Sequence, residues 1–161
     1  MEKFLEYVQS SLKSYSTADH MVYTTYNVVK DPKLLMVALK HLNTALENGV
    51  SALIHYDYYF KRISYFPSEF KDRLDIFRRF TCNKYNISRD VIQVIEDVRG
   101  IVRDHNSSEM EFRRRNQFVI ASKNYRLRTV GIESLKKYLT LAKPLLSKVS
   151  EVKRLNDKRI S

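Results

Sequence analysis

Arg99–Val130, RGIVRDHNSSEMEFRRRNQFVIASKNYRLRTV, interrupts an otherwise helical pattern. On either side of it apolar residues recur every three or four positions, as one face of a helix requires. Within it the pattern changes. Phe118-Val119-Ile120-Ala121-Ser122 is a compact apolar run, Tyr125-Arg126-Leu127-Arg128-Thr129 alternates, and Lys123-Asn124 lies between them. Two such runs around a short polar pair predict a small β-hairpin. Ahead of them, Ser108-Glu109-Met110-Glu111 reads as a capping box that opens a short helix carrying Phe112 and Arg113 to Arg115.

Outward from this stretch the helical pattern is plain. Leu5, Val8, Leu12, Tyr15, Asp19, Val22, Tyr26 and Val29 form the expected seam of a first long helix, interrupted by the carboxylate of Asp19. That carboxylate must find a partner or sit where water reaches it. Asp31-Pro32 should end this helix near Lys30 and start the next. A second helix from Pro32 to about Ile63 has the seam Leu35, Ala38, Leu42, Ala45, Gly49, Ala52, Tyr56, Tyr59 and Ile63. Its small residues let another helix approach closely, so the first two helices are expected to form an antiparallel hairpin at the centre of the bundle. Gly49 weakens a helix interior, which implies a packing reason for its presence.

Ser68 is a plausible cap for a short third helix carrying Phe70, Leu74, Phe77 and Phe80, and a polar loop containing Cys82 should follow it. Ser88 caps a fourth helix with the apolar face Val91, Val94, Ile95, Val98, Ile101 and Val102. A final helix from Ile132 to about Leu155 contains Pro144, which should kink or break it. The expectation is a single helical-bundle domain over residues 1–161: all-α, up-and-down, about five helices, with a small β-hairpin insertion near residues 118–129.

Composition narrows the function classes. The one cysteine, Cys82, excludes an internal disulfide. The longest apolar run, Leu34 to Leu39, is too short to span a bilayer. The first residues lack a signal-peptide pattern, so a cytoplasmic protein is expected. Glycines stand only at positions 49, 100 and 131, so neither a P-loop nor a dinucleotide fingerprint can be written. No Glu-x-x-His, His-Glu-x-x-His or cysteine cluster occurs, and neither a metal site nor a cofactor is expected.

Charge is the strongest compositional signal. The chain carries 29 basic and 18 acidic residues, a net +11. Residues 1–95 hold 13 basic and 10 acidic side chains (+3), and residues 96–161 hold 16 and 8 (+8). A basic half on a small domain is the footprint of a nucleic-acid or other polyanion binder. Arg113, Arg114 and Arg115, with Lys123, Arg126 and Arg128 of the hairpin, are the candidate phosphate contacts. Arg126 and Arg128 lie two apart on a strand and so share a face.

Arg99 and His105 are separated by five residues, near the end of the fourth helix of a basic, helical domain. This arrangement resembles the Arg-x(4–6)-His motif of HEPN domains, helical bundles often involved in RNA cleavage. The resemblance implies a dimeric, metal-independent ribonuclease in which Arg99 and His105 act on the RNA phosphate. Internal cleavage by a 2′-hydroxyl needs a proton-transfer group and a cation for the developing charge, which these two residues could supply. Six helical steps of roughly 100° place them about 120° apart, so they converge only if the helix unwinds before His105. Otherwise His105 reads as a capping histidine at a helix C-terminus. The alternative function is a non-catalytic interaction module whose basic face docks an acidic protein partner.

Overall fold

The computed structural model describes residues 1–122 and 126–161. It is an all-α bundle of five helices with a small antiparallel sheet inserted before the last. Helix α1 (Glu2–His20) continues through a π-helical segment (Met21–Thr25) and a last α-turn (Tyr26–Val29). Helix α2 is Lys33–Tyr59. Helix α3 (Phe70–Ile76) runs on through a second π-helical segment (Phe77–Thr81) and the turn Cys82–Lys84. Helix α4 is Arg89–Ser107 and helix α5 is Ile132–Ile160. Strands β1 (Met110–Arg114), β2 (Gln117–Ala121) and β3 (Leu127–Val130) lie between α4 and α5, with β2 in the middle.

The connection between α1 and α2 works as its residues dictate. Lys30 takes a left-handed conformation (φ 53°) that ends α1. Asp31 Oδ1 accepts the backbone N–H of Lys33 at 3.0 Å, and buried Pro32 sets the first turn of α2. So short a link forces the two helices antiparallel, and their packing is the most extensive in the molecule. Helix α2 is the centre of the bundle and packs against α1, α3, α4 and α5. Residues on all its sides are therefore buried, among them Leu39, Leu46, Val50, Leu53 and Ile54.

The seam of α1 keeps Val8, Val22 and Tyr26 of the expected one, with Leu12 and Tyr15 packed against the core, and differs elsewhere. Phe4, Val8, Ser11, Ala18, Val22 and Tyr26 are buried, whereas Leu5 and Val29 are exposed. The small ridge of α2 is the reason. Ser11 fits against Gly49 and donates its hydroxyl to the Ala45 carbonyl at 2.7 Å, which the larger Leu12 could not do. Asp19 is partly exposed. Its neighbour Tyr15 donates instead to the Leu139 carbonyl at 2.7 Å. Burial, with the Asp19 charge second, pushes the Tyr15 phenol up to about 12, so it stays a donor.

Three other expectations are corrected. The residues around Arg113 to Arg115 are not a short helix but strand β1 and its turn. Ser108 Oγ does bond Glu111 Oε1 at 2.7 Å, yet the pair secures the α4–β1 connection and not a helix N-terminus. The Cys82 region is helical where a polar loop was expected, and burial pushes the thiol up to about 11, which fits a packing role. Helix α5 runs unbroken through Pro144 and beyond Leu155 to Ile160. It is held by Leu139, Ala142, Leu145 and Val149, all buried against its neighbours.

His55 of α2 sits in an aromatic cluster, with ring centroids 5.1 Å from Phe66, 6.1 Å from Tyr7 and 6.1 Å from Tyr58. Its Nδ1 is buried and has no hydrogen-bond partner among the described residues. Burial lowers its pKa below the ordinary 6.5, and nearby Lys3 and Arg73 lower it further. The unfolded chain therefore binds this proton more readily than the folded one. The contribution of neutral His55 is complete above about pH 6.5 and is lost as the pH falls below it. His55→Phe is expected to flatten this acid-side loss. Urea midpoints at pH 7.5 and 5.5 check it, and an equal drop in both proteins would refute it.

Candidate nucleic-acid interface

The sheet register sorts the arginines. Phe118 pairs with Val130 and Arg113, and Ile120 pairs with Arg128 and Glu111. Directly opposed residues point to the same face. Phe118, Ile120 and Val130 are buried in the core, so Glu111, Arg113 and Arg128 also point toward the helices. Met110, Phe112, Arg114 and Leu127 lie on the opposite face.

At one end of this inner face the last turns of α4 meet β2 and β3 around a cleft of about 420 Å³. Arg103 and Asp104 of α4 line it, with Ser107, Ser122, Arg126 and Arg128. Arg128 Nε pairs with Asp104 at 3.1 Å, and Arg103 Nε lies 3.9 Å from the same carboxylate. One carboxylate thus orients two guanidinium groups, and Arg103 remains 78% exposed. The Ser122 amide and hydroxyl both donate to the Arg126 carbonyl, which fixes the backbone where Arg126 enters the cleft.

Gly100 has a place in this arrangement. A Cβ there would lie 3.4 Å from Arg128 Nη1 and 3.9 Å from Arg103 Nη2. These are ordinary van der Waals distances, so the Arg128 guanidinium lies along the backbone of α4 with room for an alanine.

The other candidate residues are distributed elsewhere. Arg113 reaches Asp31 at 3.3 Å, by the α1–α2 turn. Arg114 is exposed on the outer face, and Arg115 (φ 56°) turns β1 into β2. None of these three lines the cleft. Lys123 lies outside the described residues.

Arg99 and His105 each have a partner of their own within the chain. Arg99 Nε pairs with Glu47 of α2 at 3.2 Å, and its guanidinium stacks 4.6 Å from the Phe70 ring centroid. His105 Nδ1 meets Glu111 Oε1 at 2.5 Å, across the α4–β1 connection. Helix α4 stays helical to Ser107, so the unwinding that would bring the two together does not occur. Glu111 plays the part of an orienting carboxylate: it fixes the imidazole and leaves Nε2 without a hydrogen bond among the described residues.

The sequence pattern alone does not bring Arg103, Asp104 and Gly100 to one cleft or Glu111 to His105. Arg103, one turn beyond Arg99, was legible as a helix-flank cation. Glu111 was read as a helix cap, and nothing local marks it as the partner of His105. Among the described residues no three His, Cys, Asp or Glu side chains gather as a metal-binding group. No described helix is long and apolar enough to cross a membrane. No family model, no curated protein and no solved structure matches the chain.

Proposed function

We propose that this chain is an RNA-associated, HEPN-like helical protein of the cytoplasm that holds RNA phosphates in the arginine cleft. The observation that carries this reading is the meeting of Arg103, Arg126 and Arg128 around one carboxylate and two serine hydroxyls. Guanidinium groups offer planar, paired donors suited to phosphate oxygens, and the cleft keeps an excess of two positive charges. Such contacts position a backbone and read no sequence. Cleavage belongs to this reading only as a two-chain site in a homodimer. Within one chain Arg99 faces Glu47 and Phe70 while His105 faces Glu111, so an arginine of a second copy has to meet His105.

The test is anisotropy of a labelled single-stranded RNA across a salt series with chelator present, followed by a check of RNA length. Each phosphate contact contributes about 0.7 to the log–log salt slope. Arg103→Glu combined with Arg126→Glu is expected to weaken binding at least about tenfold at low salt and to reduce the slope by about 1.4. Shortened RNA that stays intact with His105→Ala would support the ribonuclease. An unchanged slope in the double variant would remove the cleft from RNA binding. Absence of binding at low salt would reject the RNA reading and leave the basic half to an acidic protein partner or to solubility.

A further inference from the structure

The arginine cleft does not end at Arg103. That side chain also lines a second depression of about 660 Å³, bounded by Lys71 and Arg78 of the α3 segment and by Arg99 and Gly100 of α4. Asp75 lines it too and is shared with a third, smaller depression of about 260 Å³ lined by Tyr65, Asp72, Arg79 and Phe80. Three depressions therefore adjoin across α4 and α3, joined at Arg103 and at Asp75.

Their character changes along the way. In the first, three arginines face one aspartate. In the second, Arg99 is matched by Glu47, and Arg78 by Asp75 and Glu96, while Lys71 and Arg103 add two further cations. In the third, Arg79 is outnumbered by Asp72 and Asp75, and Ile76 lines the rest together with the rings of Tyr65 and Phe80. Tyr65 is 60% exposed, more than any other described aromatic side chain, and Phe80 is 40% exposed. The Lys84 ammonium lies 6.0 Å from the Phe80 ring centroid.

An excess of positive charge persists through the first two depressions and is gone in the third, where the exposed rings stand. That is the order a nucleic-acid strand needs if its phosphates lie at one end and a base at the other. We propose that the three depressions form one track for a short single-stranded RNA segment, with phosphates at Arg103 and Arg126 and an unpaired base on Tyr65 and Phe80. The proposal rests on the RNA reading of the arginine cleft and specifies the strand that it takes. A paired base presents no free face, so a duplex cannot use the aromatic end. Any base has a π-face, so stacking there is tolerant of sequence. The carboxylates of Asp72 and Asp75 repel phosphate but accept from exocyclic amino groups, which suits a base edge better than a backbone. The third depression is below the size of pockets that take larger ligands and fits a single base.

The chain has no tryptophan, so Tyr65→Trp places a sole indole at the aromatic end. The variant would be titrated with a mixed-sequence single-stranded RNA 12-mer, with a 12-mer of abasic ribose phosphate, and with a duplex. Stacking predicts quenching of the indole by the single strand and none by the abasic oligomer at saturation. Tyr65→Ala with Phe80→Ala should weaken the single strand roughly 5- to 100-fold and leave the abasic oligomer unchanged. Equal binding of both oligomers, lost together in Arg126→Glu, would overturn the aromatic end and keep the phosphate cleft. Absence of binding by every oligomer would overturn the RNA reading and the track with it. Tighter binding of the duplex than of the single strand would also reject the track.

Discussion

Asp57→Ala is expected to cost about 3 kcal/mol of folding stability, the largest loss from any single polar truncation here. Asp57 is wholly buried in the last turns of α2. Its Oδ1 accepts from Arg62 at 3.1 Å, from the Tyr85 hydroxyl at 3.0 Å and from the Lys84 ammonium. Its backbone carbonyl accepts the Arg62 amide at 2.8 Å. One carboxylate thus ties the end of α2 to the turn that follows it and to the end of the α3 segment. Burial, with the Asp57 charge second, pushes the Tyr85 phenol well above its ordinary range and keeps it a hydrogen-bond donor.

Breaking a buried pair by removing one partner typically costs about 3–5 kcal/mol, because a charge is left without compensation. Arg62 and Lys84 are each about one-third exposed and can turn toward water, which places the expected cost at the low end. Tyr85→Phe removes one donor and should cost about 1 kcal/mol. Urea unfolding with an unchanged m-value measures both. A loss below about 1 kcal/mol for Asp57→Ala would mean that the carboxylate's own desolvation cancels its three contacts.

Gly49→Val is the second large effect, a loss of about 3 kcal/mol from overpacking, which outweighs the roughly 0.3 kcal/mol by which the helix propensity of valine exceeds that of glycine. A Cβ at Gly49 would stand 3.0 Å from Ser11 Oγ and 3.3 Å from Leu145 Cδ2. Both neighbours are fully buried, and Ser11 is held by its bond to Ala45. In open space Gly→Ala in a helix gains about 1 kcal/mol. Here the contact with Ser11 should reverse that sign and leave Gly49→Ala about 1 kcal/mol less stable. Removing the hydroxyl relieves the contact, so Gly49→Ala should become stabilising in a Ser11→Ala background. A double-mutant cycle reads that coupling directly. Additive losses would show that Leu145, and not Ser11, sets the limit.

The same pair explains what was misread in α1. Ranking by hydrophobicity places Leu5 and Leu12 on the seam. The seam instead follows Phe4, Ser11 and Ala18, because a ridge of small residues on α2 accepts small residues in return. The β1 strand was missed for a different reason. Met110-Glu111-Phe112-Arg113 alternates for only four residues, and its apolar members are exposed on the outer face of an edge strand. It becomes a strand because Phe112 and Glu111 pair with Val119 and Ile120 of β2.

The candidate site divides along the same line. That Arg126 and Arg128 share one side of the hairpin follows from the period of two along a strand, and both line one cleft. That Arg113 to Arg115 stand apart from them depends on register. Arg113 pairs opposite Phe118 and reaches Asp31, a residue 82 positions earlier.

The sequence by itself determined the helical class, the turn at Asp31-Pro32, the hairpin, and the concentration of positive charge after residue 95. These rest on local periodicity and turn chemistry, which neighbouring residues carry between them. Tertiary structure alone decided which side of α1 is buried, which arginines share a cleft, and that Glu47 and Glu111 hold Arg99 and His105 apart. Those outcomes depend on close packing and on pairings between distant segments. No local pattern encodes them, because each is set by whichever arrangement buries the most surface with its polar groups still partnered.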